Sequence, residues 1–211
     1  MLKWLAAMTA LVDLRLSSDS TYNISASMLS GLQSLTRLQL AVPDRRKADA
    51  RVSIEPGLLS GKTRLQHLEL LHCDAGVAAY ERQLLARLGE LQQLTYLSMR
   101  GSLHHSGAHF SVIPAAAYSA LTASSKLQHL DIDCCWPAFA WKHMFAAGRQ
   151  LPQLRTLYAS VFLDSSCLFR CCPGLRKVGL YPDGEVIAEV LLKRERMSRA
   201  ELKALLPGLV C

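Results

Sequence analysis

The chain has 211 residues, half of them hydrophobic, 7% aromatic and 19% charged, with a formal net charge of +7. That apolar share supplies a sizeable core and excludes a disordered chain, and no apolar run approaches the roughly 18 to 20 residues that span a bilayer. The expectation is one domain over residues 1–211, with no membrane span.

Seven cysteines occur, at Cys73, Cys134, Cys135, Cys167, Cys171, Cys172 and Cys211. An odd count containing two adjacent pairs, in a chain this long, points to reduced thiols in the cytoplasm rather than to a disulfide framework. At the N-terminus Lys3 precedes the apolar stretch Trp4 to Val12, which mimics a short secretory segment. Leu5, Met8, Leu11, Leu14 and Leu16 nevertheless fall in phase with a pattern that fills the remaining chain, which assigns them to the core.

That pattern is LxxLxL or a close variant, present seven times. In chain order the copies are Leu11-Leu14-Leu16, Leu35-Leu38-Leu40, Leu65-Leu68-Leu70, Leu94-Leu97-Met99, Leu127-Leu130-Ile132, Leu154-Leu157-Ala159 and Leu175-Val178-Leu180. Their first members lie 24, 30, 29, 33, 27 and 21 residues apart. Apolar residues at helical spacing precede each copy, as Leu29 and Leu32 do before Leu35, and Leu85, Leu88 and Leu91 before Leu94. Each unit is therefore expected to be a helix followed by a short strand. Its leucines point inward and the intervening residues outward, because successive strand residues alternate faces.

Between the copies, Tyr80 to Leu91 reads as an amphipathic helix burying Leu84, Leu85, Leu88 and Leu91. The stretches from Pro43 to Arg51 and from Gly101 to Gly107 read as loops inserted at strand ends. From Glu185 to Leu206, Lys193, Arg194, Arg196, Arg199 and Lys203 alternate with Glu189, Glu195 and Glu201, which suits a solvated helical face. Both ends look unfinished. Met1 lies about one helical turn before the first strand with no polar cap, and Leu205 to Cys211 parallels Cys171 to Lys177 and then stops. The chain is thus expected to be an excerpt of a longer array.

This repeat resembles that of leucine-rich-repeat proteins of the ribonuclease-inhibitor-like, horseshoe type, whose period is about 20 to 29 residues. Cys73 and Cys135 stand eight residues after Leu65 and Leu127, at the repeat's Asn/Cys position. Cys171-Cys172-Pro173-Gly174-Leu175 resembles the opening of the cysteine-containing repeats of F-box substrate receptors. The resemblance implies an α/β solenoid with short parallel strands on a concave face and helices on a convex one. It also implies a role in recognising protein partners, either as the substrate-binding part of a ubiquitin-ligase receptor or in a cytoskeletal or ciliary axoneme array.

The motifs that could carry chemistry have plainer readings. Gly57-Leu58-Leu59-Ser60-Gly61-Lys62-Thr63 has three residues between its glycines where a phosphate loop needs four. Leu59 to Leu65 also aligns without a gap on Leu29 to Leu35, as a helix end within a repeat. His104, His105 and His109 with His72-Cys73 and Cys134-Cys135 lack the paired short spacing of a structural zinc site. Cys167 and Cys171 could sit one helical turn apart, but buried thiols packing as small hydrophobes are favoured. No nucleophile elbow, metalloprotease helix or dinucleotide turn appears, and Asp131 and Asp133 are expected side by side in solvent as an acidic patch. No catalytic activity, cofactor, metal or small-molecule substrate is expected.

Register along the repeat instead assembles an outward surface. Its candidate binding residues are Arg37, His67, Glu69, Tyr96, Ser98, Arg100, His129, Asp131, Asp133, Tyr158 and Lys177. Tyrosines supply amphipathic contact area of the kind enriched at protein interfaces, and the mixed signs disfavour a nucleic-acid groove, which needs a continuous basic stripe. The expected partner is a protein. The competing reading is an acidic or nucleic-acid surface held by Arg45, Arg46, Lys47 and Arg51.

Overall fold

The computed structural model describes residues 3–18, 22–42, 52–71, 73–74, 78–100, 114–133, 143–145, 148–160, 170–181 and 188–191. In chain order its first strands are β1 (Asp13–Ser17), β2 (Tyr22–Ile24), β3 (Arg37–Ala41), β4 (Val52–Ile54), β5 (His67–Leu71) and β6 (Cys73–Asp74). These are followed by β7 (Tyr96–Arg100), β8 (His129–Asp133), β9 (Thr156–Ser160), β10 (Lys177–Tyr181) and β11 (Ala188–Leu191). The helical segments include α1 (Ala26–Leu29) and α2 (Ala78–Leu88), with 3-10 helices at Lys3–Ala7, Pro56–Leu59 and Ala115–Thr122.

The protein is α/β, and its main sheet takes the order β1-β3-β5-β7-β8-β9-β10-β11. The seven strands from β1 to β10 are parallel and follow one another in chain order; β11 alone runs antiparallel. Each repeat copy supplies one of the seven, and they align with no stagger. Leu14, Leu38, Leu68, Leu97, Leu130, Leu157 and Val178 form one buried row across the sheet. Period-two alternation dictates this: a slip of one residue would turn every leucine to the opposite face.

The same turn leads into the strands. The Leu65, Leu94, Leu127, Leu154 and Leu175 N–H groups each donate to the carbonyl three residues earlier, at 2.9 to 3.3 Å. The residue two places after the first Leu then takes up the partner strand, as His67 N–H does on Thr36 C=O and Tyr96 N–H on Gln66 C=O, both at 3.0 Å. Backbone groups at the strand entrances are thus satisfied by the neighbouring unit rather than by their own.

Three features depart from the sequence-based expectations. Among the described residues only α2 is a multi-turn α-helix, and it buries Leu84, Leu85 and Leu88 as its pattern predicts. Most other units use single turns or 3-10 segments, whose rise of about 2.0 Å per residue crosses the gap to the next strand with fewer residues than an α-helix. Pro56 at the first turn of one 3-10 helix suits that short start. Second, Ala188–Leu191 is a strand paired with β10 where a helical face was expected. Third, β2, β4 and β6 form a separate parallel sheet of three strands. The Tyr22 hydroxyl ties this sheet to the main one, donating to the Leu16 and Ala41 carbonyls at 3.3 and 3.4 Å.

Buried leucines fill the space between the main sheet and the helical segments, which pack on one another as Lys3–Ala7 on α1, α1 on Pro56–Leu59, and α2 between Pro56–Leu59 and Ala115–Thr122. Met8, expected in the core, is 45% exposed. Cys73, Cys171 and Cys172 are buried, and the Cys73 thiol donates to the Leu40 carbonyl at 3.7 Å, which fits the reading of thiols as small hydrophobes. Lys62 is buried where the preceding unit has Leu32, and its Nζ lies 3.4 Å from the Ser60 carbonyl oxygen. Among the described residues no helix is long and apolar enough to cross a membrane.

Candidate functional site

On the sheet face opposite the leucines, register lays Arg37, His67, Tyr96, His129, Thr156 and Lys177 in one row. Neighbouring strands lie about 4.8 Å apart, close to the thickness of stacked aromatic rings, so planar side chains at one register position must stack or splay. Here they stack. The His67 and Tyr96 ring centroids are 4.0 Å apart at 9°, and those of Tyr96 and His129 are 4.2 Å apart at 1°.

Tyr158 extends the stripe from the next row. Its register partner is Gly179, where a Cβ would fall 2.2 Å from Tyr158 Cδ1, so the ring lies flat over the glycine backbone. From there it tilts toward His129, with centroids 5.8 Å apart at 47°, and Lys177 Nζ sits 5.3 Å from its centroid. That distance falls within cation–π range. Arg37 at one end and Lys177 at the other thus bracket four rings.

Acidic groups flank the stripe. Glu69 Oε2 is 3.6 Å from His67 Nε2. Asp131 is not the solvent-facing carboxylate expected from strand alternation: it is 0% exposed and receives Arg100 Nε at 2.6 Å and Nη2 at 2.5 Å, both on Oδ2. Ser98, also expected outside, is 1% exposed and donates to the same oxygen at 3.4 Å. Arg100 of β7 thus pairs with Asp131 of the neighbouring strand β8. Asp133 pairs with Arg100 in the strand register.

Burial sets the charge states. It pushes the His67 imidazole below its ordinary pKa of 6.5, helped by the Arg37 cation and opposed by Glu69. Burial likewise lowers His129, against the pull of Asp131. It raises the Tyr96 phenol. The stack is therefore neutral at pH 7. Arg37 Nε, His67 Nε2, His129 Nε2 and Asp131 Oδ1 are buried without a hydrogen-bond partner among the described residues.

Of the eleven candidates, the structure brings His67, Tyr96, His129 and Tyr158 together as the stripe, and places Arg37, Glu69 and Lys177 at its margins. Ser98, Arg100 and Asp131 form a hydrogen-bonded network beside it. Gly179, which seats Tyr158, is not among the candidates read from the sequence; a glycine at an outward strand position was the available signal. Arg45, Arg46, Lys47, Arg51, His104, His105, His109, Cys134, Cys135 and Cys167 lie outside the described residues. Among the described residues no cluster of three or more His, Cys, Asp or Glu could hold a metal.

No family model matches the chain, and no curated protein is detectably similar to it.

Proposed function

We propose that the protein is a leucine-rich-repeat solenoid of the ribonuclease-inhibitor-like type, and that it works without catalysis as an intracellular scaffold holding a protein partner on its outward strand face. The observation that carries this reading is the aromatic stripe of His67, Tyr96 and His129, in register across neighbouring strands, extended by Tyr158 from the next row and bracketed by Arg37 and Lys177. Rings presented in a fixed row lose little side-chain entropy on binding, and Tyr and Arg are the residue types that dominate interface energetics. Sheet order following chain order without stagger supports the solenoid, since stacked repeats place each unit only against its neighbours.

Charge favours a protein over a nucleic acid. Described residues on the outward rows include Arg15, Arg37, Arg100 and Lys177 against Asp13, Glu69 and Asp131, and the pairs Arg15–Asp13 and Arg100–Asp131 are already internal. A phosphate backbone would meet no continuous basic track.

The test is nuclease-treated affinity capture from cell extract, comparing wild type with the Tyr96→Ala/Tyr158→Ala double variant. The inward leucines are untouched, so circular dichroism checks that the fold persists. Loss of a specific protein from the variant capture is the expected result, and the partner's identity then decides between ubiquitin-ligase and cytoskeletal roles. Retention of every captured protein by the folded variant would overturn the reading.

A further inference from the structure

β1 is the end strand of the main sheet among the described residues. Its backbone polarity is fixed by the pairing with β3. The Val12 carbonyl accepts from Arg37 N–H at 3.0 Å, and Ser18 N–H donates to the Ala41 carbonyl at 3.3 Å, so the even-numbered peptide groups face β3. Asp13, Arg15 and Ser17 therefore turn their N–H and C=O groups outward, the arrangement that recruits another strand. On the side of the leucine rows the same edge carries Val12, which is 51% exposed, and the partly buried Leu16. On the other side it carries Asp13 and Arg15, joined on their own strand by bonds of 2.8 and 3.1 Å.

We propose that this edge pairs with β1 of a second copy of the chain, antiparallel about a two-fold axis at Leu14. Hydrogen-bonded pairs in an antiparallel ladder need both residues to face each other, which restricts the pairing to odd-with-odd registers. Of the five such registers centred within the strand, those on Leu16 and Ser17 set no acidic residue of β1 opposite Arg15, which leaves three to compare. Centring on Asp13 sets Asp13 against Asp13, and centring on Arg15 sets Arg15 against Arg15. Centring on Leu14 sets Asp13 of each copy opposite Arg15 of the other, twice over. Charges of opposite sign directly across a ladder stabilise it and like charges oppose it, so the charge pattern selects this register. It also places Val12 against Leu16 on the apolar side, covering the exposed valine. The interface is self-complementary, as a two-fold contact requires.

Sedimentation equilibrium of the full 211-residue chain across the micromolar range tests the proposal. The expected result is a reversible monomer–dimer equilibrium. Arg15→Asp should weaken it by more than about tenfold, because like charges then face each other across the axis. The reversal Asp13→Arg/Arg15→Asp should restore dimerisation. Mixing separate Asp13→Arg and Arg15→Asp chains, each monomeric alone, should yield a heterodimer, which also demonstrates that both fold. A wild-type chain that stays monomeric throughout overturns the proposal. So does a dimer indifferent to Arg15→Asp, or a double reversal that fails to restore pairing.

Discussion

Arg100 and Asp131 make one ion pair, yet their removal should not cost the same. Asp131 is 0% exposed and Arg100 is 36% exposed, so truncating Asp131 releases a guanidinium that can turn to water, whereas truncating Arg100 strands a carboxylate in the protein. Leaving a buried charge without its partner costs about 3 to 5 kcal/mol, while losing a hydrogen bond to a group that can resolvate costs about 1 to 2 kcal/mol. Urea denaturation should therefore place Arg100→Ala near 3 kcal/mol below wild type and Asp131→Ala distinctly less. Equal losses would mean that Asp131 is reached by solvent.

The histidines of the stack give a second expectation at the same scale. Both have folded pKa values below the ordinary 6.5, chiefly from burial. Between the folded and unfolded values the unfolded chain binds more protons, so stability rises with pH there. Their contribution is full above pH 6.5 and is lost as the pH falls toward the folded values. Melting temperature should decline on acidification below neutrality, and the His67→Phe/His129→Phe variant should flatten that decline. Asp13 acts with the same sign, since Arg15 holds it below its ordinary 3.8, but its effect falls at lower pH, outside this window.

Among the elements, the contact most dependent on a single atom lies between the 3-10 helix Lys3–Ala7 and the end of α1. A Cβ at Gly31 would lie 1.8 Å from the Ala6 carbonyl oxygen, backbone against backbone with no side chain free to yield. Gly31→Ala should detach the Lys3–Ala7 segment at a cost of about 1 to 3 kcal/mol. Hydrogen exchange would register this as lost protection at Met8 and Leu11, whose N–H groups donate to Leu5 and Met8 carbonyls, while β5 to β9 stay protected. The elements also show what sequence reading captures. The seven parallel strands and the row Arg37-His67-Tyr96-His129 were legible because strand alternation and an unstaggered register leave one solution. The burial of Asp131 was not, since strand alternation alone assigns it to the outward face. Nor were β2, β4 and β6, at two or three residues too short for a period to declare itself. Helix-like leucine spacing before each strand misled because a 3-10 turn places residues three apart on one side almost as well.

For the whole molecule, strand order from β1 to β10 follows the chain, so a central strand has neighbours on both sides and an end strand on one. Leu68 in β5 and Leu14 in β1 occupy the same row but not the same surroundings. Leu68→Ala should cost about 3 to 4 kcal/mol, within the range for a buried leucine, and Leu14→Ala clearly less. Equal losses in chemical denaturation would indicate that the end strand is covered as fully as the centre.

The unstaggered register has a consequence for inheritance. Because each unit enters its strand through the same turn and meets its neighbour residue for residue, a unit gained or lost whole leaves the flanking strands able to join as before. A single codon inserted within β5 would instead send its leucines to the outward face and its histidine inward. Such a chain tolerates change by the paragraph and resists it by the letter, so that unequal recombination between repeats, rather than small insertion, is the natural route by which its length drifts.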